Sequence, residues 1–431
     1  MLKVGFVLFA FGSFLFGMSL NECISTALHN STAIKKSKNE IELSSINHKI
    51  QKVSQFGELN LLADFNHYNS LRTLAPITPS LMQSGIPIAE SKDIFSVGFM
   101  YSVPLFTGFA QTNQIKIDEI AAKMSKIKGS LTKEEIIYNV KSLYLTILAQ
   151  KELLLAQKKY YKALKNLEQI VKKELREGKK ARIDYLKAKA QTKEALATIS
   201  NLKAAITITK ASLSALIGKE VKRVNFIKIY PKRPRFNEKR LLSRVAYLKK
   251  IKINDMQIKK AQKAVDKTKS LGLPQINLTI YAGKNIGSDE VHNLGTQGDN
   301  IYQIGIHSKW AMVDFGKRSL QVQKAKIAKM QLELEKIASI RELKKLIKEA
   351  IAKIKSNYSL YQKNLSQLKL SKEAQKIEFV RYQKGVSTMN DLLLAKAKEQ
   401  LSRAKLIESK YNYKKSLYFL DYILEQGAKR R

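Results

Sequence analysis

Cysteine is almost absent from this chain. A single one, Cys23, occurs in 431 residues, which excludes a disulfide or a cysteine-based metal cluster within one chain. Proline (7) and glycine (19) are scarce, so a turn-rich sandwich is disfavoured and long uninterrupted helices are expected. Acidic residues number 36 against 78 basic ones. The resulting charge of +42 is spread along nearly the whole chain, with no zinc spacing or RNA-binding signature beside it. It reads as a solvated helical surface ahead of a nucleic-acid partner. Long apolar runs are missing as well. Beyond the N-terminus nothing approaches the roughly 18 residues of a spanning helix, so a membrane could be crossed only by strands.

Sets of catalytic residues are also lacking. The five histidines, His29, His48, His67, His292 and His307, lie in separate segments without a partner at metal-ligand spacing. There is no nucleophile elbow and no phosphate-cradling glycine loop. The stretch "GKNIGSDEVHNLGTQG" reads as a strand-connecting loop. The expectation is therefore no enzyme, no cofactor and no metal site.

What is present begins with "MLKVGFVLFAFGSFLFGMSL". Lys3 supplies a basic n-region, and Val4 to Phe16 an apolar core too short for a comfortable span. Gly17 and Ser19 occupy −3 and −1 of a cleavage site after Ser19. Residues 1–19 thus read as a secretory signal peptide. A lipoprotein reading would need small residues before Cys23, where Asn21 and Glu22 stand.

An internal repeat organises the rest. A shift of 207 residues superposes "VPLFTGFAQ" (from Val103) on "WAMVDFGKR" (from Trp310), and also Gly178 on Gly385 and Asp184 on Asp391. The interval from Phe109 to Gly178 therefore equals that from Gly316 to Gly385, 69 residues, or about 100 Å of helix. Ile136, Val140, Leu143, Ile147, Leu154, Tyr161, Leu164, Val171 and Leu175 keep one heptad frame, as do Leu343, Ile347, Ala350, Ile354, Tyr361 and Leu368, which argues a coiled coil. Polar breaks at Gln150, Gln157 and Glu168 leave room for a wet interior.

Each half is expected to contain the same elements. Repeat 1 covers 20–222, with a short helix, a β-hairpin about 58–104, a long helix about 109–177 and a returning helix about 182–217. A connector with Pro231 and Pro234 fills 223–236. Repeat 2 covers 237–431, with a short helix, a hairpin about 274–310, a long helix about 316–384 and a returning helix about 388–425. Gly178 and Gly385 mark the turns between antiparallel helices.

The strands alternate. Leu59, Leu61, Ala63 and Phe65 face one way, as do Phe95, Val97, Phe99, Tyr101 and Val103. Ile276, Leu278, Ile280 and Ala282 do the same, and so do Tyr302, Ile304, Ile306 and Trp310. About ten residues each is a membrane-crossing length for a tilted strand. Four strands cannot close a barrel, whereas three chains would bring twelve.

With these features on the page, the chain resembles TolC-type outer membrane efflux proteins. The resemblance rests on "LNECISTALHNS", on "VPLFTGFAQ" and its copy "WAMVDFGKR", on the two glycine-centred turns and on "LSALIG", in that order and spacing. It implies an α+β membrane protein: a homotrimer with a 12-stranded β-barrel, four strands per chain, in outer membrane lipid, continuous with a long α-helical coiled-coil barrel in the periplasm of a Gram-negative cell. It further implies a passive duct of a tripartite efflux or type I secretion system, docked to a periplasmic adaptor protein and an inner-membrane pump, with no nucleic acid involved. By the same resemblance the adaptor-docking tips are Leu175, Gly178, Ala181 and Asp184 in the first hairpin, and Tyr382, Gly385, Ser387 and Thr388 in the second, with Asp391 at the periplasmic entrance. Two departures stand out. Lys179 and Lys180 follow the first tip glycine where the family has small or apolar residues, and Leu394 replaces a frequent second acid, leaving at most a single ring of Asp391. Asp391 and Asp184 can equally act as caps at the starts of the returning helices. The competing reading of the whole chain is a periplasmic coiled-coil scaffold or surface binding protein without a pore.

Overall fold

The computed structural model describes residues 17–289, 291–292 and 295–427; most of the expected signal peptide, residues 1–16, lies outside them. The elements run α1 (Leu20–Asn30), α2 (Thr32–Val53), β1 (Glu58–Thr73), a short α3 (Pro79–Gln83), β2 (Glu90–Phe106), α4 (Ala110–Arg176), α5 (Arg182–Ile217), α6 (Glu238–Ser243), α7 (Lys249–Lys269), β3 (Gln275–Asp289), β4 (Gly295–Lys309), α8 (Lys317–Gln383) and α9 (Met389–Ile423). α4 and α8 are both 67 residues long. α8 contains no Gly or Pro and α4 one Gly, so nothing interrupts runs of strong helix formers such as Leu, Lys, Ala and Glu.

The short leading helices are divided. α1 and α2 break at Ser31, and α6 and α7 are separated by a 3-10 turn, Arg244–Tyr247. Ser19 caps α1 through a reciprocal pair with Glu22: the Ser19 hydroxyl accepts from the Glu22 N–H, and the Glu22 carboxylate accepts from the Ser19 N–H. Cys23 is fully buried in this region, and burial, with the nearby Glu22 carboxylate, pushes its thiol up to about 11.

The described chain forms two compact units. One is wholly helical outside its connector and holds 17–38, Ile127–Lys252 and 338–427. Its first core joins Cys23, Ile24 and Ala27 to Ile136, Val140, Tyr144, Ile147, Leu213 and Ile217. A second gathers Val245 and Ile251 with Leu343, Ile347, Ile354, Tyr413 and Leu420. The heptad residues Ile136, Val140, Ile147, Leu164 and Val171 are buried, as are Leu343, Ile347, Ala350 and Ile354. Tyr144 and Leu148 lie outside the heptad frame and are buried too, because α4 packs on more than one neighbour.

One expected polar break has a dry explanation. Gln157 is only 7% exposed; its carbonyl accepts from Gln400 of α9 at 2.8 Å, and its amide donates to the Ala195 carbonyl of α5 at 3.4 Å. Lys410 of α9 donates to both oxygens of Glu152 on α4, at 2.7 and 2.6 Å. Buried polar groups survive where such partners exist.

The second unit, Asn39–Lys126 and Ile253–Ile337, carries one antiparallel sheet in the order β1-β2-β3-β4. Four strands were expected, and four are found, but of 15 to 17 residues rather than ten. Much of the glycine-rich stretch read as a loop, Gly283–Asp289 and Gly295–Gly298, extends β3 and β4 in continuous register. β2 also pairs with β3, so the two hairpins form one sheet. The register aligns rows of side chains across all four strands: Leu59, Tyr101, Ile280 and Ile304, then Leu61, Phe99, Ala282 and Tyr302. These apolar rows point away from any core; Leu61 is 64% exposed, Phe99 56% and Ile304 71%. The outer edges of β1 and β4 carry no strand partner among the described residues.

Where strand gives way to helix, the chain turns through paired left-handed residues, Gly108 and Phe109 in one place, Phe315 and Gly316 in the other. These two turns stand 207 positions apart. A bulky residue with positive φ is costly. Asp314 braces the second turn, accepting from the Gly316 N–H and from both the N–H and the Nε of Arg318.

Candidate functional site: the two hairpin tips

No helix among the described residues is long and apolar enough to cross a membrane, and no group of three or more His, Cys, Asp or Glu among them could hold a metal ion. The candidate site is built at the ends of the long helices.

Both α4 and α8 stop at a glycine in the left-handed region, Gly178 at φ +73° and Gly385 at φ +74°. The hydrogen bonds are the same at each. Gly178 N–H donates to the Leu175 carbonyl and Lys179 N–H to that of Glu174; Gly385 N–H donates to Tyr382 and Val386 N–H to Arg381. This is the Schellman arrangement, which satisfies the last free carbonyls of a helix. A Cβ at either glycine would meet nothing within 4 Å, so the requirement is conformational alone.

The restarts differ. α9 begins at Thr388, whose hydroxyl accepts from the Asp391 N–H at 3.2 Å, while the Asp391 carboxylate accepts from the Thr388 N–H at 3.0 Å and from its hydroxyl at 2.6 Å. This reciprocal cap engages the Asp391 carboxylate as a capping group. α5 begins at Ala181, which has no side chain able to cap, and Asp184 contributes through the first-turn charge alone.

The hairpins pack together. Leu164, Leu167 and Val171 of α4 and Ala195 of α5 share a core with Tyr382, Met389, Leu392 and Leu393. Of the sequence-chosen tip residues, Tyr382 is buried, Leu175, Asp184 and Ser387 are half-buried, and Gly178, Ala181, Gly385, Thr388 and Asp391 are exposed. The Lys180 ammonium lies 4.3 Å from the centre of the Tyr382 ring, a cation–π contact between the tips. The Tyr382 hydroxyl is buried without a hydrogen-bond partner. Burial, then the carboxylates of Glu174 and Asp184, push it up to about 12, so it stays neutral. Lys179, the other unusual lysine, pairs with Glu177 at 2.8 Å on the exposed surface. No local motif announces the Lys180–Tyr382 contact, which joins residues 202 positions apart. Behind Asp391 a groove of about 560 Å³ is lined by Glu378, Arg381, Leu394 and Lys398 among others.

The cap gives a pH-dependent expectation. The hydrogen bonds from Thr388 hold the Asp391 carboxyl below its ordinary value of 3.8. A depressed folded value adds stability that is complete above 3.8 and fades as pH falls through the folded value. Amide exchange at Thr388–Leu392, measured relative to the intrinsic rate at each pH, is therefore expected to stay slow at neutral pH and to accelerate only below about pH 4. Thr388→Ala should accelerate it at every pH, by about 1 kcal/mol of lost capping. Equal protection in wild type and variant would remove the cap from this account.

An exposed apolar sheet face, open at both edges among the described residues, is carried on a chain with two long helical hairpins. The sequence profile described as "Outer membrane efflux protein" matches residues 23–219 and 250–424, and the chain belongs to that family, whose members are channels and not enzymes. The fold agrees. The Campylobacter jejuni CmeC outer membrane channel matches at TM-score 0.78 and 17% identity, over 95% of this chain and 86% of that one. A membrane protein from Pseudomonas aeruginosa matches at TM-score 0.77 and 16% identity, over 94% and 91%. The open state of the Neisseria gonorrhoeae MtrE outer membrane channel matches at 0.76 and 17%, over 95% and 90%. No curated protein sequence matches the chain. Family membership makes it an efflux channel protein of the Gram-negative outer membrane.

Proposed function

We propose that three copies of this chain close a 12-stranded barrel in the outer membrane, and that their helices form a duct in the periplasm through which substrates leave passively. The observation that carries this reading is the sheet. Its apolar rows run in register across all four strands and face outward, and its two edges are open. An isolated sheet of that kind invites aggregation; a closed barrel in lipid abolishes the edges and buries the face. Trp310, Met312, Val313 and Phe315, all more than half exposed beside β4, fit an interfacial belt. The 207-residue offset and the equal lengths of α4 and α8 support a duplicated unit, so that a trimer would present six tips around one opening.

In this reading the tips are the periplasmic entrance and the adaptor contact, with Leu175, Gly178, Ala181 and Asp184 on one hairpin and Tyr382, Gly385, Ser387 and Thr388 on the other. Asp391 stands near the entrance, its carboxylate engaged by Thr388. The adaptor would connect the duct to an inner-membrane pump. A first tip carrying Lys172, Lys173, Arg176, Lys179, Lys180 and Arg182 favours an adaptor surface of acidic character.

The test is assembly and conductance. Protein from outer membranes should run as a heat-modifiable trimer and give single-channel currents in planar bilayers. Recovery as a soluble monomer would sink the proposal.

A further inference from the structure

The connector between the two halves is a strap rather than a loose linker. It has no regular secondary structure from Asn225 to Phe236, yet its backbone is tied down at several points. Tyr144 donates to the Asn225 carbonyl and Tyr413 to that of Lys232, both at 2.6 Å. Lys151 donates to Val224 at 3.1 Å and Lys210 to Lys222 at 2.8 Å.

Pinned in this way, the strap shows its side chains with a period of two. Ile227, Ile229 and Pro231 are half-buried, and both isoleucines pack on the first helical core. Phe226, Lys228, Tyr230 and Lys232 point outward, with Phe226 60% and Tyr230 75% exposed. The outer face thus alternates aromatic and cationic groups, about 6.6 Å from one to the next for extended chain. Arg233 and Arg235 are exposed beyond it, on the other parity. Across Lys219 to Arg244 there are ten Lys and Arg against two Glu. Tyr413, Lys414 and Tyr418 join the strap to form a groove of about 710 Å³.

We propose that this strap binds a carboxylate-bearing glycan, the peptidoglycan of the cell wall, with Phe226 and Tyr230 stacking on sugar rings and Lys228, Lys232 and Arg233 pairing the peptide-stem carboxylates. The proposal rests on the periplasmic placement of the helical unit given above. The chemistry selects among polyanions. Pro231 and Pro234 lack the N–H groups that an added β-strand would need, and the carbonyls of Asn225 and Lys232 already accept from tyrosines, which disfavours an acidic peptide adding by strand pairing. Extended backbone offering flat aromatic faces between cations suits a linear polymer whose sugars carry acids at regular intervals. Such anchorage would hold the duct upright in the wall independently of any pump.

The experiment uses the detergent-purified full-length protein in the assembled state and insoluble peptidoglycan sacculi as the probe. Wild type should co-sediment with sacculi and be released by salt. Lys228→Glu with Lys232→Glu should weaken retention about tenfold, and Phe226→Ser with Tyr230→Ser should weaken it comparably. Lys228→Arg with Lys232→Arg should retain it. Sacculi whose stem carboxylates have been amidated should bind poorly. Failure of wild type to sediment, or unchanged sedimentation of the Glu pair, would overturn the proposal. So would stronger retention on vesicles of anionic phospholipid, which would make the strap a membrane contact. Loss of the trimer in the Glu pair would reassign the strap to a contact between copies. Because wall binding is scored apart from conductance, a conducting channel that ignores sacculi refutes this inference alone, and a non-conducting protein refutes the duct instead.

Discussion

Replacing Phe99 by Arg is expected to abolish the assembled trimer, while Gln303→Arg leaves it intact. Phe99 lies in the middle of β2 between Leu61 and Ala282, in the row that ends at Tyr302. It is 56% exposed, so water contact alone would let an arginine replace it at little cost. In a barrel the same side chain faces lipid. A cation near the bilayer midplane costs about 2–4 kcal/mol per site, and three copies would each carry one. A fall of about thirtyfold or more in assembled protein follows from a single such penalty. Gln303, on β4, has the opposite parity: its partner is Tyr281, which pairs with Met100. Arginine there would face the lumen, leaving heat-modifiable trimer at wild-type levels and altering ion selectivity. The pair separates a lipid-facing sheet from a soluble one. Equal assembly of the two variants would mean that the apolar rows do not meet lipid, and a periplasmic scaffold without a pore would then be the better account.

The parts of this fold that were legible in the sequence are those in which side-chain pattern and backbone geometry coincide. Gly178 and Gly385 announce themselves because only glycine takes φ near +74° without strain. The long helices were legible through their lack of breakers, and the inner parts of the strands through strict alternation. The strand ends were not, because Gly283, Gly287, Gly295 and Gly298 sit where a ladder is held by backbone pairing alone; propensity is a weak guide there. The breaks at Ser31 and at Arg244–Tyr247 have no proline to signal them. At the tips, Asp391 could be read as a cap or as an entrance residue, and Thr388 three residues earlier completes the cap. The cation–π contact of Lys180 with Tyr382 was not legible, since a contact between hairpins leaves no local spacing. The strap was legible as a connector by its prolines, but its outward alternation depends on Tyr144 and Tyr413 fixing the backbone from beneath.

Gly385→Pro is expected to stop export while leaving the barrel inserted, and Gly178→Pro to do the same. The reason is local and severe. Proline fixes φ near −65°, whereas Gly385 sits at +74°. It also removes the N–H that donates to the Tyr382 carbonyl at 3.0 Å, and it restricts Lys384, the residue before it, away from helical geometry. Together these cost about 3 kcal/mol or more. Rearrangement cannot spread freely, because Tyr382 on one side and Met389 on the other are buried in the shared tip core at 5% and 1% exposure. The turn must therefore distort where an adaptor would seat. Gly385→Ala makes the graded control: a Cβ there meets open space, so the loss is only the left-handed penalty, about 1–2 kcal/mol, and export should be reduced rather than lost. Three measurements on each variant read the result: heat-modifiable trimer in the outer membrane, cellular accumulation of a fluorescent efflux substrate, and crosslinking of the tip to its adaptor. Trimer at wild-type levels with high accumulation and lost crosslinking is the expected set. Export at wild-type levels in both proline variants would show that the tips are not the docking surface, and loss of the trimer would show that tip geometry is needed for assembly itself.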